Sequence, residues 1–205
     1  GNGGISTAVV FLNINPNTAP SAVNDSYQMD EDSVLTGITV LINDVDAEGD
    51  TLTINTTAIA DVSNGSLIIN ADGSFIYTPS ANFTGVDSFT YEVDDGKGDS
   101  DQAVVSITIN PVNDLPIGVS DSYSIDEDNT LNGTTVLVND SDIDGDTLTI
   151  DTLAISTTTK GLLTLSSDGT FVYSPNADAN GSDSFIYQIH DGEGGSAEAT
   201  VNIAI

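Results

Sequence analysis

Two short segments of the chain carry acidic side chains at every second position. These are Asp44, Asp46, Glu48 and Asp50 in the first segment, and Asp140, Asp142, Asp144 and Asp146 in the second. A glycine, Gly49 or Gly145, precedes the last carboxylate and permits a sharp turn. Calcium takes six to eight hard oxygen ligands at roughly 2.3–2.6 Å, which carboxylates on one tight loop can supply. The spacing therefore predicts a calcium site in each segment.

The alternative is that these aspartates are solvated turn residues, which is the usual explanation for a single Asp in a turn. Their clustering argues against it, because unit charges about 5–6 Å apart repel by roughly 0.7–0.8 kcal/mol per pair even in bulk water. A cluster without countercations would push its own loop apart. An acidic triplet precedes each cluster: Asp30, Glu31 and Asp32 in the first copy, and Asp126, Glu127 and Asp128 in the second. Each triplet either completes the same site or forms another.

The charge of the chain excludes several classes of partner. Thirty-two acidic side chains stand against two basic ones, Lys97 and Lys160, and the formal net charge is −30. With no basic patch for a phosphate backbone and no long apolar stretch, we expect no nucleic acid partner and no insertion into a membrane. Because the chain has no Cys, disulfides, thiolate nucleophiles and zinc–sulfur sites are excluded as well.

The sequence repeats itself at a shift of 96 residues. SYQMDED at 26–32 matches SYSIDED at 122–128, and VLINDVDAEGDTLTI at 40–54 matches VLVNDSDIDGDTLTI at 136–150. This period is longer than the unit of a solenoid protein. Each copy is therefore expected to form a complete small domain.

A partial third copy opens the chain. Residues 1–20 match residues 96–116 with one deletion, so the chain is expected to begin with the last strand of a missing preceding repeat. Such a strand has no ladder of its own, and it would either pair with the sheet edge of a neighbouring molecule or mark a fragment boundary. The predicted divisions are a leading strand at 1–16, a first domain at 17–111 and a second domain at 112–205.

Each copy contains seven apolar runs bounded by Gly, Pro, Asn and Asp, and none of them has a helical period. This pattern predicts an all-β fold of two tandem, seven-stranded antiparallel sandwiches. The Asp72–Gly73 pair predicts a tight hairpin between the fourth and fifth strands. Alternate strand positions predict these core residues: Val104, Ile107, Ile109, Phe75, Tyr77, Phe89 and Tyr91. The aromatic rings among them are expected to pack in the core and not to form a binding platform.

Several motifs together resemble bacterial cadherin-like and Ig-like tandem repeats. They are the acidic loops, DGSFIYTP at 72–79, GVDSFTYEVDDG at 85–96 and the joint NPVNDLP at 110–116. The resemblance covers essentially the whole chain, and such repeats occur in large secreted adhesins and extracellular enzymes. It implies a seven-stranded sandwich, with calcium ions at the joints between domains.

By position, the resemblance makes Asn113 and Asp114 candidate bridging ligands at the joint between the two domains. It also implies that Asp121, just beyond the joint, and Asp94 or Asp95, at the end of the sixth strand, could reach the same ion. The leading joint has Thr18 in the position of Asp114 and is one residue shorter. We therefore expect weaker calcium binding, or none, at the leading joint.

These expectations favour a non-catalytic, calcium-stiffened extracellular spacer or adhesin repeat, secreted or at the cell surface, that presents distal modules. Its expected partners are calcium, neighbouring repeats or copies of the same chain, and a glycan or another cell-surface target. One alternative is a filament subunit that donates its N-terminal strand. Another is a carbohydrate-binding module of a secreted enzyme, although the chain has no Trp to stack on sugar rings. Catalysis is not expected, because the one histidine, His190, replaces Asp94 of the other copy.

Overall fold

The computed structural model describes Gly3 and residues 7–10, 16–57 and 59–205. The chain divides into two compact units, Gly1–Pro111 and Val112–Ile205. The leading strand expected at 1–16 falls largely outside the described residues, so strand donation stays a prediction. Among the helices of the described part, none has the length and apolar character that crossing a membrane requires.

The described residues of the first unit form a sandwich of seven strands in two sheets, as the seven apolar runs predict. In chain order the strands are β1 (Asp25–Asp30), β2 (Leu35–Gly37), β3 (Thr53–Ile54), β4 (Gly65–Ile69), β5 (Phe75–Pro79), β6 (Gly85–Asp94) and β7 (Ser100–Asn110). One sheet has the order β1-β7-β6-β3 and the other has the order β2-β5-β4. A short 3-10 helix over Val40–Ile42 follows β2, and the Thr39 hydroxyl caps it by accepting a hydrogen bond from the N–H of Leu41.

The second unit has the same architecture. Its strands are β8 (Asp121–Ser124), β9 (Leu131–Gly133), β10 (Thr149–Ile150), β11 (Gly161–Leu165), β12 (Phe171–Pro175), β13 (Ser182–His190) and β14 (Ser196–Ala204). The sheet orders are β10-β13-β14-β8 and β11-β12-β9. Because the same apolar and turn residues recur 96 positions later, the same ladders form twice.

The first and last strands of each unit pair in parallel, within sandwiches whose other ladders are antiparallel. Asp25 lies opposite Val105 and Asp30 lies opposite Asn110 in the β1–β7 ladder, and β8 pairs with β14 in the same way. The reason is parity. The antiparallel ladders within both sheets are consistent with a chain that reverses at every connection, so the first and seventh strands run in the same direction.

The core of each sandwich is formed by the inward positions of the strands. In the first unit, six of the predicted core residues are buried: Ile107, Ile109, Phe75, Tyr77, Phe89 and Tyr91. The prediction for Val104 is wrong, since this side chain is 39% exposed. Successive residues of a strand point to opposite faces, and the buried positions of β7 are Ala103, Val105, Ile107 and Ile109.

The hairpin predicted at Asp72–Gly73 is confirmed between β4 and β5. Gly73 has a φ of +80°, and its N–H donates to the carbonyl of Asn70 at 2.9 Å. The side chain of Asp72 accepts hydrogen bonds from the N–H and the hydroxyl of Ser74, at 3.0 and 2.7 Å. The turn therefore uses its aspartate to satisfy the backbone locally.

Candidate metal centres

Asp46 organises the acidic loop of the first repeat. Its Oδ1 accepts hydrogen bonds from the N–H groups of Glu48 and Asp50, at 2.9 and 3.0 Å, and so folds the loop around the carboxylate. Gly49 allows this turn with a φ of +80°, a conformation that favours glycine. The other oxygen of Asp46, Oδ2, is buried and has no hydrogen-bond partner among the described residues. Such an oxygen is costly unless a cation balances it.

Asp142 occupies the equivalent position in the second repeat. Its Oδ1 accepts from the N–H groups of Asp144 and Asp146, at 2.9 and 3.4 Å, and its buried Oδ2 also lacks a partner within the described part of the chain. The carboxylates of Asp142, Asp144 and Asp146 each place an oxygen within 4.8 Å of the other two. Desolvation raises the pKa of Asp146, and the charges of Asp142 and Glu193 raise it further. The second loop therefore concentrates negative charge around one buried oxygen.

A buried aspartate supports each loop from the adjacent turn. In the first repeat Asp95 is 2% exposed, and its Oδ1 accepts from the backbone N–H groups of Lys97, Gly98 and Asp99 at 2.7–3.2 Å. Its Oδ2 accepts from Nδ2 of Asn17 at 2.7 Å. The bond from Asn17, followed by those from the backbone, lowers the pKa of Asp95. Both oxygens of this predicted ligand are thus engaged in hydrogen bonds, Oδ1 with the turn and Oδ2 with Asn17, and we leave Asp95 out of the proposed ligand set.

Asp191 has the same role in the second repeat. Its Oδ1 accepts from three successive N–H groups, those of Glu193, Gly194 and Gly195, at 2.8–2.9 Å. Its Oδ2 accepts from Nδ2 of Asn113 at 2.9 Å, which is the first cause of the lowered pKa of Asp191. Asn113, predicted from the resemblance to be a joint ligand, is therefore a hydrogen-bond donor to this turn.

The residues that open each repeat are tied to its acidic loop. Thr18 donates its hydroxyl and its N–H to Oε2 of Glu48, at 2.7 and 3.3 Å. In the second repeat the N–H of Asp114 donates to Oδ2 of Asp144 at 2.8 Å. Thr18 thus places a hydroxyl donor where the second repeat has a carboxylate. The bridging roles expected of Asn113 and Asp114 stay predictions.

The first carboxylate of each predicted cluster belongs to a hydrogen-bond network inside the sandwich. Asp44 is buried and accepts from the N–H of Val23 at 2.7 Å and from the hydroxyl of Tyr91 at 3.1 Å. The same hydroxyl lies 3.1 Å from Oδ2 of Asp25. Burial is the largest cause of the raised pKa of both Asp25 and Asp44.

The second repeat preserves this network. Oδ1 of Asp140 accepts from the N–H of Val119 at 2.7 Å, and its Oδ2 lies 2.9 Å from the hydroxyl of Tyr187. Asp121, expected at the joint, is buried beside the same hydroxyl at 3.2 Å, and burial raises its pKa. Asp44, Asp140 and Asp121 therefore link the loops to the core, and we leave them out of the proposed ligand set.

The acidic triplet of the first repeat lies at the opposite end of the sandwich from the acidic loop. Asp30 faces Asn110 at the end of β7, and the N–H of Glu31 donates to the carbonyl of Asn110 at 3.0 Å. The turn of Asp95 adjoins the other end of β7, which begins at Ser100. A strand of this length separates its two ends by roughly 30 Å. The triplet and the acidic loop therefore form separate clusters.

Each triplet ends in a turn residue with a positive φ. Asp32 and Asp128 have φ values of 55° and 62°. Oδ1 of Asp32 accepts from the N–H of Asn82 at 3.0 Å, and Oδ1 of Asp128 accepts from the N–H of Asp178 at 3.3 Å. All three residues of the second triplet are exposed: Asp126, Glu127 and Asp128. Metal binding at the triplets stays a prediction.

Sequence reasoning missed the residue that faces the loop from the neighbouring turn. Nζ of Lys97 lies 2.8 Å from Oδ1 of Asp50. The residue in this position of the second repeat is Glu193, which adds a carboxylate. The available signal was that one of only two lysines in the chain follows the buried Asp95 between two glycines.

The donor set of the second loop fits a divalent cation. Asp142, Asp144 and Asp146 offer converging hard oxygens, and one of them is buried without a donor in the described structure. Calcium tolerates the irregular geometry of such a loop better than magnesium does. In the first repeat Asp46 offers the equivalent oxygen, Oδ2. Its loop neighbours Glu48 and Asp50, however, already accept hydrogen bonds from a threonine hydroxyl and a lysine ammonium.

Cadherin ectodomains are among the solved structures with a similar fold. Human CDH23 EC21-23 has a TM-score of 0.60 and 18% identity, over 92% of this chain and 69% of that chain. Human Protocadherin-24 EC1-2 has a TM-score of 0.58 and 16% identity, over 92% and 98%. Drosophila N-cadherin EC1-4 has a TM-score of 0.55 and 18% identity, over 92% and 49%. At these identities the likeness shows the fold alone.

Family comparison gives a more specific result. No curated protein matches the chain. The model of the bacterial cadherin-like domain family matches it twice, at residues 17–111 and 113–205. These matches coincide with the two sandwiches and leave little of the sequence uncovered. The chain therefore belongs to the bacterial cadherin-like domain family, of which it contains two tandem repeats.

Proposed function

We propose that the chain is a non-catalytic, calcium-stabilised spacer of an extracellular protein, in which tandem repeats hold other modules away from a cell surface. The observation that carries this proposal is the oxygen Oδ2 of Asp46 and Asp142. In each repeat it is buried within an acidic loop and lacks a hydrogen-bond donor among the described residues. The recurrence of this feature in both copies favours one shared ligand over two unrelated packing defects.

A divalent cation is the ligand that suits these loops. Asp142, Asp144 and Asp146 bring carboxylate oxygens within 4.8 Å of one another, and charges at that distance repel strongly unless a cation lies between them. A water molecule could donate to one oxygen but would leave the negative charge uncompensated. The proposed ligands are therefore Asp142, Asp144 and Asp146 in the second repeat, and Asp46, Glu48 and Asp50 in the first.

The proposed extracellular location is one in which calcium sites of the expected affinity would be filled. Extracellular calcium modules have dissociation constants of about 10⁻⁴ to 10⁻³ M, so they fill where calcium is millimolar and empty in the cytosol. At free calcium ten times the dissociation constant, one site stabilises the folded state by about 1.4 kcal/mol. The location would then decide whether the acidic loops are rigid.

The parallel pairing of the first and last strands supports a load-bearing role. In a tandem chain, tension enters a repeat at the start of β1 and leaves it at the end of β7. These strands pair over Asp25–Asp30 and Val105–Asn110. Tension therefore slides the two strands along each other, and the hydrogen bonds of the ladder must break together. A ladder pulled from one end would break one bond at a time.

The distribution of the acids gives no support to catalysis. Asp46 and Asp142 bind the backbone of their own loops in the same way, and Asp95 and Asp191 repeat another such pair. Carboxylates that recur at equivalent turns of two copies are accounted for by loop structure and metal binding. The proposal therefore assigns no reaction to the chain, in keeping with cadherin-like repeats in general.

Thermal unfolding of the 205-residue chain tests the calcium dependence. Millimolar calcium is expected to raise the Tm of the second repeat by roughly 5–10 °C over that in EGTA, since one filled site adds about 1.4 kcal/mol. Asp142→Asn should remove most of this increase. Asp168→Asn is the matched control, because it makes the same charge change in an exposed hairpin turn. An equal Tm in calcium and in EGTA would contradict the proposal.

Single-molecule pulling tests the mechanical part. Because the chain has no Cys, pulling handles will attach only at cysteines that are introduced in pairs. Handles at Ser26→Cys and Thr108→Cys load the β1–β7 ladder in shear, whereas handles at Ser26→Cys and Ser106→Cys, which lie directly opposite each other near the start of the ladder, pull the two strands apart from that end. We expect a clearly higher unfolding force for the first pair. Addition of calcium should raise that unfolding force further. Equal forces for both pairs would contradict a load-bearing role while leaving calcium binding untouched.

A further inference from the structure

One position reverses its charge between two otherwise similar acidic sites. The carboxylates at positions 46, 48, 50 and 95 have acidic counterparts at positions 142, 144, 146 and 191. Lys97, however, is matched by Glu193, a difference of two unit charges. Both residues lie in the turn whose N–H groups bind the buried Asp95 or Asp191. The exchange therefore falls beside the loop and not at a distant surface.

The ammonium group of Lys97 lies within the acidic site of the first repeat. Its Nζ donates a hydrogen bond to Oδ1 of Asp50 at 2.8 Å. A lysine ammonium is ordinarily charged at neutral pH. Lys97 therefore remains charged at neutral pH and offsets part of the negative charge of the loop.

The second repeat has the opposite arrangement. Asp146 occupies the position of Asp50, and Glu193 is among the carboxylates whose charges act on it. Its oxygen converges with those of Asp142 and Asp144. In the described first repeat the three equivalent carboxylates do not converge in this way. A carboxylate in place of the lysine thus accompanies the tighter acidic cluster.

We propose that Lys97 is a tethered counter-ion that weakens divalent-cation binding in the first repeat, whereas Glu193 strengthens it in the second. This inference rests on the proposed calcium function. An ammonium supplies one positive charge and repels an approaching Ca²⁺, but Oδ2 of Asp46 still has no hydrogen-bond partner among the residues that the structure describes. The first site therefore keeps a residual affinity, and the two repeats fill at different calcium concentrations.

Hydrogen exchange measured by mass spectrometry can follow each loop separately in the 205-residue chain. Peptides covering residues 44–50 and 140–146 are compared over a calcium titration that starts in EGTA. We expect the second loop to become protected at a calcium concentration lower than the first by on the order of tenfold. Calorimetric titration with calcium should correspondingly resolve one tighter and one weaker site.

Reciprocal variants test the assignment to this position. Lys97→Glu should lower the calcium midpoint of the first loop by on the order of tenfold, and Glu193→Lys should raise that of the second loop similarly. Lys160→Glu is the matched control for net charge, because it makes the same charge change at a lysine whose Nζ bonds the carbonyl of Asn180. This control should move neither midpoint.

The outcomes separate the inference from the function on which it rests. If both loops gain protection at the same calcium concentration, and Lys97→Glu shifts neither, the counter-ion role is overturned while calcium binding stands. If Lys160→Glu shifts the midpoints as much as Lys97→Glu does, net charge and not position is responsible, which also overturns the inference. If neither loop responds up to about 10 mM calcium, the proposed function itself fails.

Discussion

The hydroxyl of Tyr187 lies 2.9 Å from Oδ2 of Asp140, at the point where the second acidic loop begins. Asp121 approaches the same hydroxyl at 3.2 Å, and Tyr91 repeats this arrangement with Asp44 and Asp25. Burial, followed by the bond and the charge of Asp140, raises the pKa of Tyr187 far above its ordinary value. The tyrosine therefore stays protonated and acts as a permanent donor between two carboxylates. This donor couples each acidic loop to the core.

Tyr187→Phe should destabilise the second repeat by about 1–3 kcal/mol, because it removes the hydroxyl donor that Asp121 and Asp140 share. Urea unfolding in EGTA measures this loss without a contribution from calcium. Tyr123→Phe is a suitable comparison, since it removes a hydroxyl from a ring that packs edge-on against Phe171. Equal losses of stability in the two variants would show that the bonds to Asp140 and Asp121 are unimportant.

Asp87→Ala should cost roughly 3 kcal/mol or more in the first repeat, since several donors lose a charged acceptor. The carboxylate accepts from the N–H groups of Ser63 and Asn64, at 3.0 and 2.8 Å, and from the hydroxyl of Tyr77 at 2.9 Å. Asp61→Ala, which removes an exposed acceptor of one local hydrogen bond, should cost less than about 1 kcal/mol. Urea unfolding of both variants checks the difference, and comparable losses would refute it.

Gly133→Ala should destabilise the second repeat by about 1–3 kcal/mol through overpacking. A Cβ at this position would collide with the ring of Phe171, which is buried and cannot move away freely. Asn132→Ala on the same strand is the control, because Asn132 is exposed. Thermal unfolding should give a lower Tm for Gly133→Ala alone, and an unchanged Tm would mean that the ring can relocate.

The stability of the calcium-free chain should depend on pH in two opposite ways. Burial raises the pKa of Asp25, Asp44 and Asp121, so protonation of these groups favours the folded state as pH falls from neutral toward 3.8. Hydrogen bonds lower the pKa of Asp95 and Asp191, so their contribution is present above 3.8 and is lost as pH falls through their folded-state values.

We therefore expect the free energy of unfolding in EGTA to hold or rise slightly from pH 7 to about pH 4, and to fall steeply below about pH 3.8. Urea unfolding at a series of pH values checks the curve. A steep loss that begins above about pH 5 would mean that other groups control acid unfolding.

The sequence predicts the repeated sandwich well, because its information is local. Strand periodicity, the turn at Asp72–Gly73 and the 96-residue repeat can all be read from short stretches. Val104 was assigned wrongly because it is an apolar residue on a strand whose inward positions are odd-numbered, and apolarity alone does not set the phase. The parallel β1–β7 ladder joins residues about 80 positions apart, and it follows only from the complete topology.

The acidic loops were predictable from spacing, but the partners of each carboxylate were not. Alternating acids look equivalent in the sequence, yet Asp44 binds the hydroxyl of Tyr91, whereas Asp46 binds the backbone of its own loop. Tyr91 is 47 positions away from Asp44, and Lys97 is 47 positions away from Asp50. Such contacts depend on which strands end at the same end of the sandwich. No local pattern in the sequence therefore reveals them.

The parallel ladder also has a genetic consequence. In each sandwich the first strand pairs with the last, and every hydrogen-bonded ladder among the described residues joins strands of the same copy. Duplication or loss of one 96-residue block would therefore interrupt no sheet, and no strand edge that is now paired would lose its partner. We therefore expect a gene of this kind to tolerate the gain or loss of a whole copy, with each remaining copy able to fold.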